Sequence, residues 1–212
     1  MRAPPRKKRP GRYHHGDLKR AIIDEALKVI AEEGMAAVTT RELARRLGVS
    51  HAAPGHHFAD RETLLAEVAT EGFRQFADAL EHAVTRVPDP AERLVALGST
   101  YLRFAVDHPS YLRVMFGRTF PKGRRPPDEF IRESNRAYAV LAGVVRDLTV
   151  ARGGDPTQLD ELAYGPWALV HGMAMLWIDG AATDGFADRE AFETSAVRII
   201  RRAIVGLIPK AE

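Results

Sequence analysis

Residues 39–58 read TTRELARRLGVSHAAPGHHF, and this stretch constrains the chain more than any other. Thr39 and Glu42 have the Thr-x-x-Glu spacing of a capping box, which opens a helix. Leu43, Ala44 and Leu47 give that helix an apolar face over barely two turns, and Gly48 can close it. A helix this short is not stable alone and must dock on neighbours. Val49 can plug the core at the turn, and Ser50 can cap a second short segment. A short helix, a Gly-Val-Ser turn and a second short helix form the layout of a helix-turn-helix, whose second element enters a DNA major groove.

Charge falls on the same end of the chain. The net charge is +3, but residues 1–60 hold twelve Lys/Arg against seven Asp/Glu, a net of +5, and the remainder holds nineteen against twenty-one, a net of −2. Two independent signals on one segment point to double-stranded DNA as partner. Residues 1–12 (MRAPPRKKRPGR) carry six basic residues with prolines and a glycine, a composition that cannot bury a core. They read either as a solvated tail or as a disordered basic arm whose Arg12 contacts DNA.

The rest of the composition excludes several classes. There is no cysteine, so disulfides and thiolate metal sites are ruled out. No run of 18 or more apolar residues exists, so no membrane span is expected. The N-terminus lacks the apolar stretch of a secretory signal, and a cytoplasmic location is expected. Adjacent histidines such as His14-His15 and His56-His57 diverge by about 100° on a helix, so phosphate or base contact is favoured over a metal site. No Gly-rich phosphate loop, nucleophile elbow or metal-binding helix motif occurs, which argues against an enzyme and implies no cofactor.

Helical periodicity runs throughout, and about nine helices are expected in an all-α chain. A first helix over about 15–33 presents Leu18, Ile22, Ala26, Val29 and Ile30 on one face, with Asp17 in its first turn and Gly34 as its left-handed cap. Asp60 reads as an N-cap for a helix over about 61–84, with Leu65, Val68, Gly72, Phe76 and Leu80 along one side. Helices follow over about 91–107, 109–116, 128–150, 157–178 and 188–208, separated by proline- and glycine-bearing breaks. The expected organisation is an arm over 1–12, a three-helix head over 13–60, a linking helix over 61–84 and a helical effector-binding and dimerisation domain over 85–212.

Within that last domain, Tyr101, Phe104, His108, Tyr111, Met115, Phe116, Tyr138, Trp167, His171 and Met175 are candidates to line a ligand pocket, and they equally describe a plain core. Leu169, Met173 and Leu176, with Phe192, Ala196, Ile199, Ile200, Ala203, Ile204 and Leu207 on the last helix, form stripes suited to a helix-helix interface. Two such helices and their symmetry mates would make a four-helix bundle between two copies.

The order YHHGDLKRAIIDEALKVIAEEG, TTRELARRLGVSHAAPGHHF, ADRETLLAEV resembles the N-terminal domain of TetR-family transcriptional regulators over about residues 13–70. Residues 167–177, WALVHGMAMLW, resemble a TetR subgroup with a Trp…His-Gly motif in the C-terminal domain. The resemblance implies a homodimer that binds a near-palindromic operator and is released by a small-molecule effector, acting as a repressor. It implies phosphate contact by Thr40 and Arg41, a recognition helix bearing Ser50, His51, Ala52, Ala53 and His56, a His57-Phe58 pair with the histidine near the DNA backbone, and Arg61 where the family usually has a phosphate-binding lysine. One departure stands out: Pro54-Gly55 replaces a common Leu-Tyr, which removes an aromatic backbone contact and an early helical donor. The recognition helix is therefore expected to be short or poorly ordered without DNA, with Ala52 and Ala53 limited to thymine methyl contacts. Two other readings stay open: a dimeric DNA-binding protein without an effector, and an enzyme.

Overall fold

The computed structural model describes residues 15–117, 120 and 123–208, with the side chains of 15–17, 204 and 205 excepted. Arg12 and the rest of the basic arm lie outside the described residues. Eight α-helices are present among the described residues, and there are no strands: α1 His15–Glu33, α2 Thr40–Leu47, α3 Arg61–Val84, α4 Pro90–Asp107, α5 Pro109–Phe116, α6 Asp128–Ala151, α7 Leu159–Ile178 and α8 Arg189–Leu207. The expected all-α fold is observed. The ninth expected helix, the recognition helix, is replaced by turns and a single 3-10 turn, Pro54–His56. No described helix is long and apolar enough to cross a membrane.

The helix ends follow their local chemistry. The Thr39 hydroxyl accepts from the Glu42 N–H at 3.1 Å, and Gly48 closes α2 in the left-handed conformation at φ 65°. Only half of the capping box forms, because the Glu42 carboxylate turns to Arg45 and Arg46 instead of returning to the Thr39 N–H. Asp60 caps α3 through the Thr63 N–H (2.7 Å), and Asp89 caps α4 through the Glu92 N–H (2.9 Å) with Pro90 at the first helical position. α7 runs through Pro166 without ending.

The chain divides into two compact units, residues 1–64 and residues 65–212, with the boundary inside α3. The first unit buries Ile22, Ala26, Val29, Val38, Leu43, Phe58 and Leu64 to 2% exposure or less. Each of the larger side chains contributes about 1.5–3 kcal/mol of burial free energy, and the Ala26 methyl less. In the second unit α4 is central and packs against α5, α6, α7 and α8. At Gly72 in α3 a Cβ would stand 2.8 Å from both Met115 Sδ and Tyr111 Cδ1, so only hydrogen fits there.

Candidate functional site

The head is built by docking α2 on α1. Leu43 and Ala44 are fully buried, and Arg46 on the same helix is clamped by four carboxylates. Its guanidinium bonds Glu42 at 2.9 Å and Glu32 at 2.7 Å, pairs with Glu33, and lies 3.6 Å from Glu25. Hydrogen bonds from Arg45 and then Arg46 pull the Glu42 carboxyl down to about 2. Arg46 was not singled out by sequence reasoning. The signal was available in the Glu32-Glu33 pair at the end of α1 facing a basic α2.

After Gly48 the backbone does not continue as an α-helix. Ala53 N–H bonds the Ser50 carbonyl (3.0 Å), His56 N–H the Ala53 carbonyl (3.3 Å) and His57 N–H the Pro54 carbonyl (3.0 Å), all with i to i−3 spacing. Proline at position 54 has no N–H to give the i to i−4 bond that a helix starting at Ser50 requires. Pro54 is buried in the head, and Ala53, with no side-chain cap, precedes the 3-10 turn; Ser50 is not the cap the sequence suggested. Ser50, His51, Ala52, Gly55 and His56 are exposed, Ala53 and His57 are half-buried, and Phe58 is core with the His57 ring tilted against it.

At the start of α2, Thr40 is half-buried and Arg41 is exposed, with no partner among the described residues. Arg61 stands differently from the sequence expectation. Its guanidinium donates to the Val38 carbonyl (2.9 Å) and the Met35 carbonyl (2.6 Å), tying the start of α3 to the turn between α1 and α2. The residue expected on phosphate is thus engaged with backbone: its planar fork spans the Val38 carbonyl and the Met35 carbonyl, which also accepts from the Val38 N–H at 3.3 Å.

The second unit encloses a cavity of about 350 Å³, lined from α3, α4, α5, α6, α7 and α8. Four sequence candidates line it: Tyr101, Phe116, Tyr138 and Trp167. The Tyr101 hydroxyl lies 2.7 Å from His171 Nδ1, which places His171 directly behind the wall. Burial pushes the Tyr101 phenol above its ordinary range, opposed by the Trp167 indole, and burial lowers His171. Tyr138 donates to Asp160 Oδ1 at 2.6 Å, which raises its hydroxyl to about 12.

The other pocket candidates lie elsewhere. Phe104 packs between Phe76 and His108, and His108 is an exposed junction residue between α4 and α5. Tyr111 and Met115 are buried against Gly72, and Met175 is half-buried outside the lining. Phe73, Phe76, Leu80, Phe130, Ser134 and Asn135 also line the cavity and were not among the pocket candidates. The i, i+4, i+7 spacing of Ser134, Tyr138 and Leu141 on α6 was the signal that could have found that wall.

The interface candidates divide in the same way. Phe192 stacks on Trp177 with centroids 4.4 Å apart, Ala196 is fully buried, and Leu169, Ile200 and Leu207 line the cavity. These five belong to the interior of the single chain, because the apolar stripe of α8 packs on α4 and α7. Leu176 (53% exposed) and Ile199 (40%) face outward, Met173 and Ala203 are half-buried, and the side chain of Ile204 lies outside the described residues. Among the described residues no group of three or more His, Asp or Glu is placed to hold a metal ion.

An all-helical chain with a small helix-turn-helix-like head and a second helical unit that holds a cavity has the architecture of a transcriptional regulator. Residues 22–68 match the bacterial regulatory proteins of the tetR family, and residues 94–201 match the tetracyclin repressor-like C-terminal domain. The chain belongs to the TetR family of transcriptional regulators. It is 37% identical over 79 residues to the HTH-type transcriptional regulator BetI of Rhizobium meliloti (strain 1021), a match that spans 37% of this chain and 39% of that relative's length. A solved structure of a protein of unknown function from Rhodococcus sp. RHA1 superposes with a TM-score of 0.74 at 31% identity, covering 92% of this chain and 98% of that one. The regulator FadR of Bacillus subtilis, solved in complex with stearoyl-CoA, shares the fold at a TM-score of 0.69 and 16% identity, over 91% and 99% of the two chains.

Proposed function

We propose that the chain is a homodimeric, ligand-responsive repressor, released from a near-palindromic operator by a small, mostly apolar effector bound in the cavity of residues 65–212. The observation that supports this reading is the cavity itself: an open-mouthed, almost wholly apolar space of about 350 Å³ falls within the ~300–1,000 Å³ range of ligand pockets. The effector acts by population shift, binding better to a conformation whose two heads are wrongly spaced for adjacent major grooves. α3, which begins in the head and ends at the cavity wall, is the element expected to carry the change.

The outward face of α7 supports dimerisation. Tyr164, Ala168, Gly172 and Leu176 recur every four residues and are all exposed, with Ile199, Arg202 and Gly206 exposed on α8. Two large apolar side chains flanking two small residues let a second helix approach closely, as helix packing in a four-helix bundle requires. Arg41, the exposed face around His51 and His56, and the arm bearing Arg12 are the proposed DNA contacts, and Thr40 and His57 their neighbours.

Fluorescence anisotropy on fragments of the chain's own upstream region, run with light scattering, tests the reading. A dimer that binds one fragment with a steep salt dependence, and that a screen of apolar metabolites displaces, is the expected result. A monomer, or a dimer that no metabolite displaces, refutes it. Leu176→Glu with Ile199→Glu is expected to give monomers that fold and lose DNA binding.

A further inference from the structure

Taking the cavity as the effector site, we propose that the effector is an uncharged, ring-bearing molecule with a hydroxyl-type hydrogen-bonding group, and that the Tyr101–His171 pair recognises that group.

The described lining carries no charge: no Asp, Glu, Lys, Arg or His is among the described residues that line the cavity. A carboxylate or phosphate placed there would shed its hydration with no counter-ion to offset the loss. Size points the same way: about 350 Å³ lies near the low end of ligand pockets, which run about 300–1,000 Å³. A long acyl chain with a charged nucleotide carrier, such as stearoyl-CoA, is therefore a poor fit.

Ring character follows from the walls. Phe73 meets Phe116 and Phe130 edge-on with centroids 5.5 and 5.3 Å apart, and Phe76 meets Tyr101 edge-on at 5.2 Å. Rings braced against one another hold their orientation, and flat faces fixed in advance favour a planar occupant.

Of the polar groups, Asn135 is exposed and the Trp167 indole N–H is already bonded to the Tyr101 hydroxyl, which leaves three hydroxyls to consider. The Ser134 hydroxyl donates to the Ile131 carbonyl at 3.1 Å, and the Tyr138 hydroxyl donates to Asp160. Both protons are committed, and Tyr138 is exposed. Tyr101 is the buried hydroxyl of the three, and its partner is a histidine that can hold its proton on either nitrogen. With Nδ1 bare, Tyr101 donates to His171, and its oxygen, which also accepts from the Trp167 indole, has one lone pair left for a ligand donor. With Nδ1 protonated, His171 donates to the Tyr101 oxygen, and the phenol proton is available to a ligand acceptor. A hydroxyl, which both donates and accepts, is satisfied in either state. Burial of His171 disfavours its cationic form, which keeps the exchange between neutral tautomers.

Titration of the full chain with 2-naphthol, naphthalene and 2-naphthoate, followed by calorimetry and tryptophan fluorescence, tests this with one ring system and three polar groups. 2-Naphthol is expected to bind about tenfold more tightly than naphthalene, the equivalent of one satisfied buried hydrogen bond, and 2-naphthoate more weakly than both. Tyr101→Phe is expected to erase the preference for naphthol over naphthalene while leaving naphthalene binding within about twofold, and His171→Phe to do the same. A purely structural role for the pair would weaken all three ligands together. Naphthoate binding as tightly as naphthol, a preference that survives Tyr101→Phe, or no binding by any of the three overturns the proposal. DNA binding measured in parallel separates the two readings. Naphthol that binds with the stated selectivity yet leaves DNA affinity unchanged upholds this ligand class and refutes the effector role. A charged metabolite that occupies the cavity and releases DNA does the reverse.

Discussion

Replacing Arg61 distinguishes a phosphate contact from an internal brace. Its guanidinium bonds two backbone carbonyls, Val38 at 2.9 Å and Met35 at 2.6 Å, in a half-buried setting. Hydrogen bonds from a charged donor contribute about 1.5–3 kcal/mol each, and partial exposure discounts the pair to about 2–3 kcal/mol in total. Arg61→Ala should therefore lower the melting midpoint of the head by about 8–24 °C, since each kcal/mol moves a domain of this size by about 4–8 °C. Arg61→Lys keeps the charge but cannot span both carbonyls, and about half of the loss is expected to remain. Circular dichroism melts, with hydrogen exchange at the amides of residues 35–38, read the effect directly. A phosphate contact predicts a different pattern: Arg61→Lys leaves the melt unchanged, and Arg61→Gln lowers the slope of log affinity against log salt by about 0.9. That pattern would refute the brace.

Gly55 is exposed, and a Cβ built on it meets nothing within 4 Å, so Gly55→Ala should stabilise the chain by about 0.4–1 kcal/mol in urea denaturation. Gly55→Tyr, which restores an aromatic side chain to this segment, is expected to tighten binding to the upstream fragment, and unchanged or weaker binding counts against the reading. Gly98→Ala places a Cβ 2.9 Å from Ile200 Cδ1 and 3.2 Å from Val170 Cγ1, and overpacking at the cavity wall should cost about 1–3 kcal/mol by denaturant titration. Glu42 has its pKa lowered from 4.5 to about 2 in the folded chain, so its contribution is complete above the unfolded value and fades as pH falls from there toward about 2. In an acid titration Glu42→Gln should flatten the stability curve across that window, and an unchanged curve shows the clamp on Arg45 and Arg46 to be inert.

Local chemistry alone was enough to read most helix boundaries. The limits of α3 and the caps at Thr39 and Asp60 rest on side chains bonding backbone three residues away, which a linear reading can see. The weak recognition segment was legible for the same reason, since a proline lacks its donor wherever it folds. What covers an apolar stripe was not legible. Periodicity marked Phe192, Ala196 and Ile200 as one face of α8, but only packing against α4 and α7 turned that face inward and left Ile199 outside. Tertiary structure likewise decided Arg61, whose carbonyl partners lie 23 and 26 residues away, and Tyr101, whose histidine lies 70 residues away. Short-range hydrogen bonds and side-chain period are properties of a segment. Partners and cavities exist only once helices distant in the chain are brought together, so the sequence determined a head, a helical body and their class, and the packing chose which residues line the cavity.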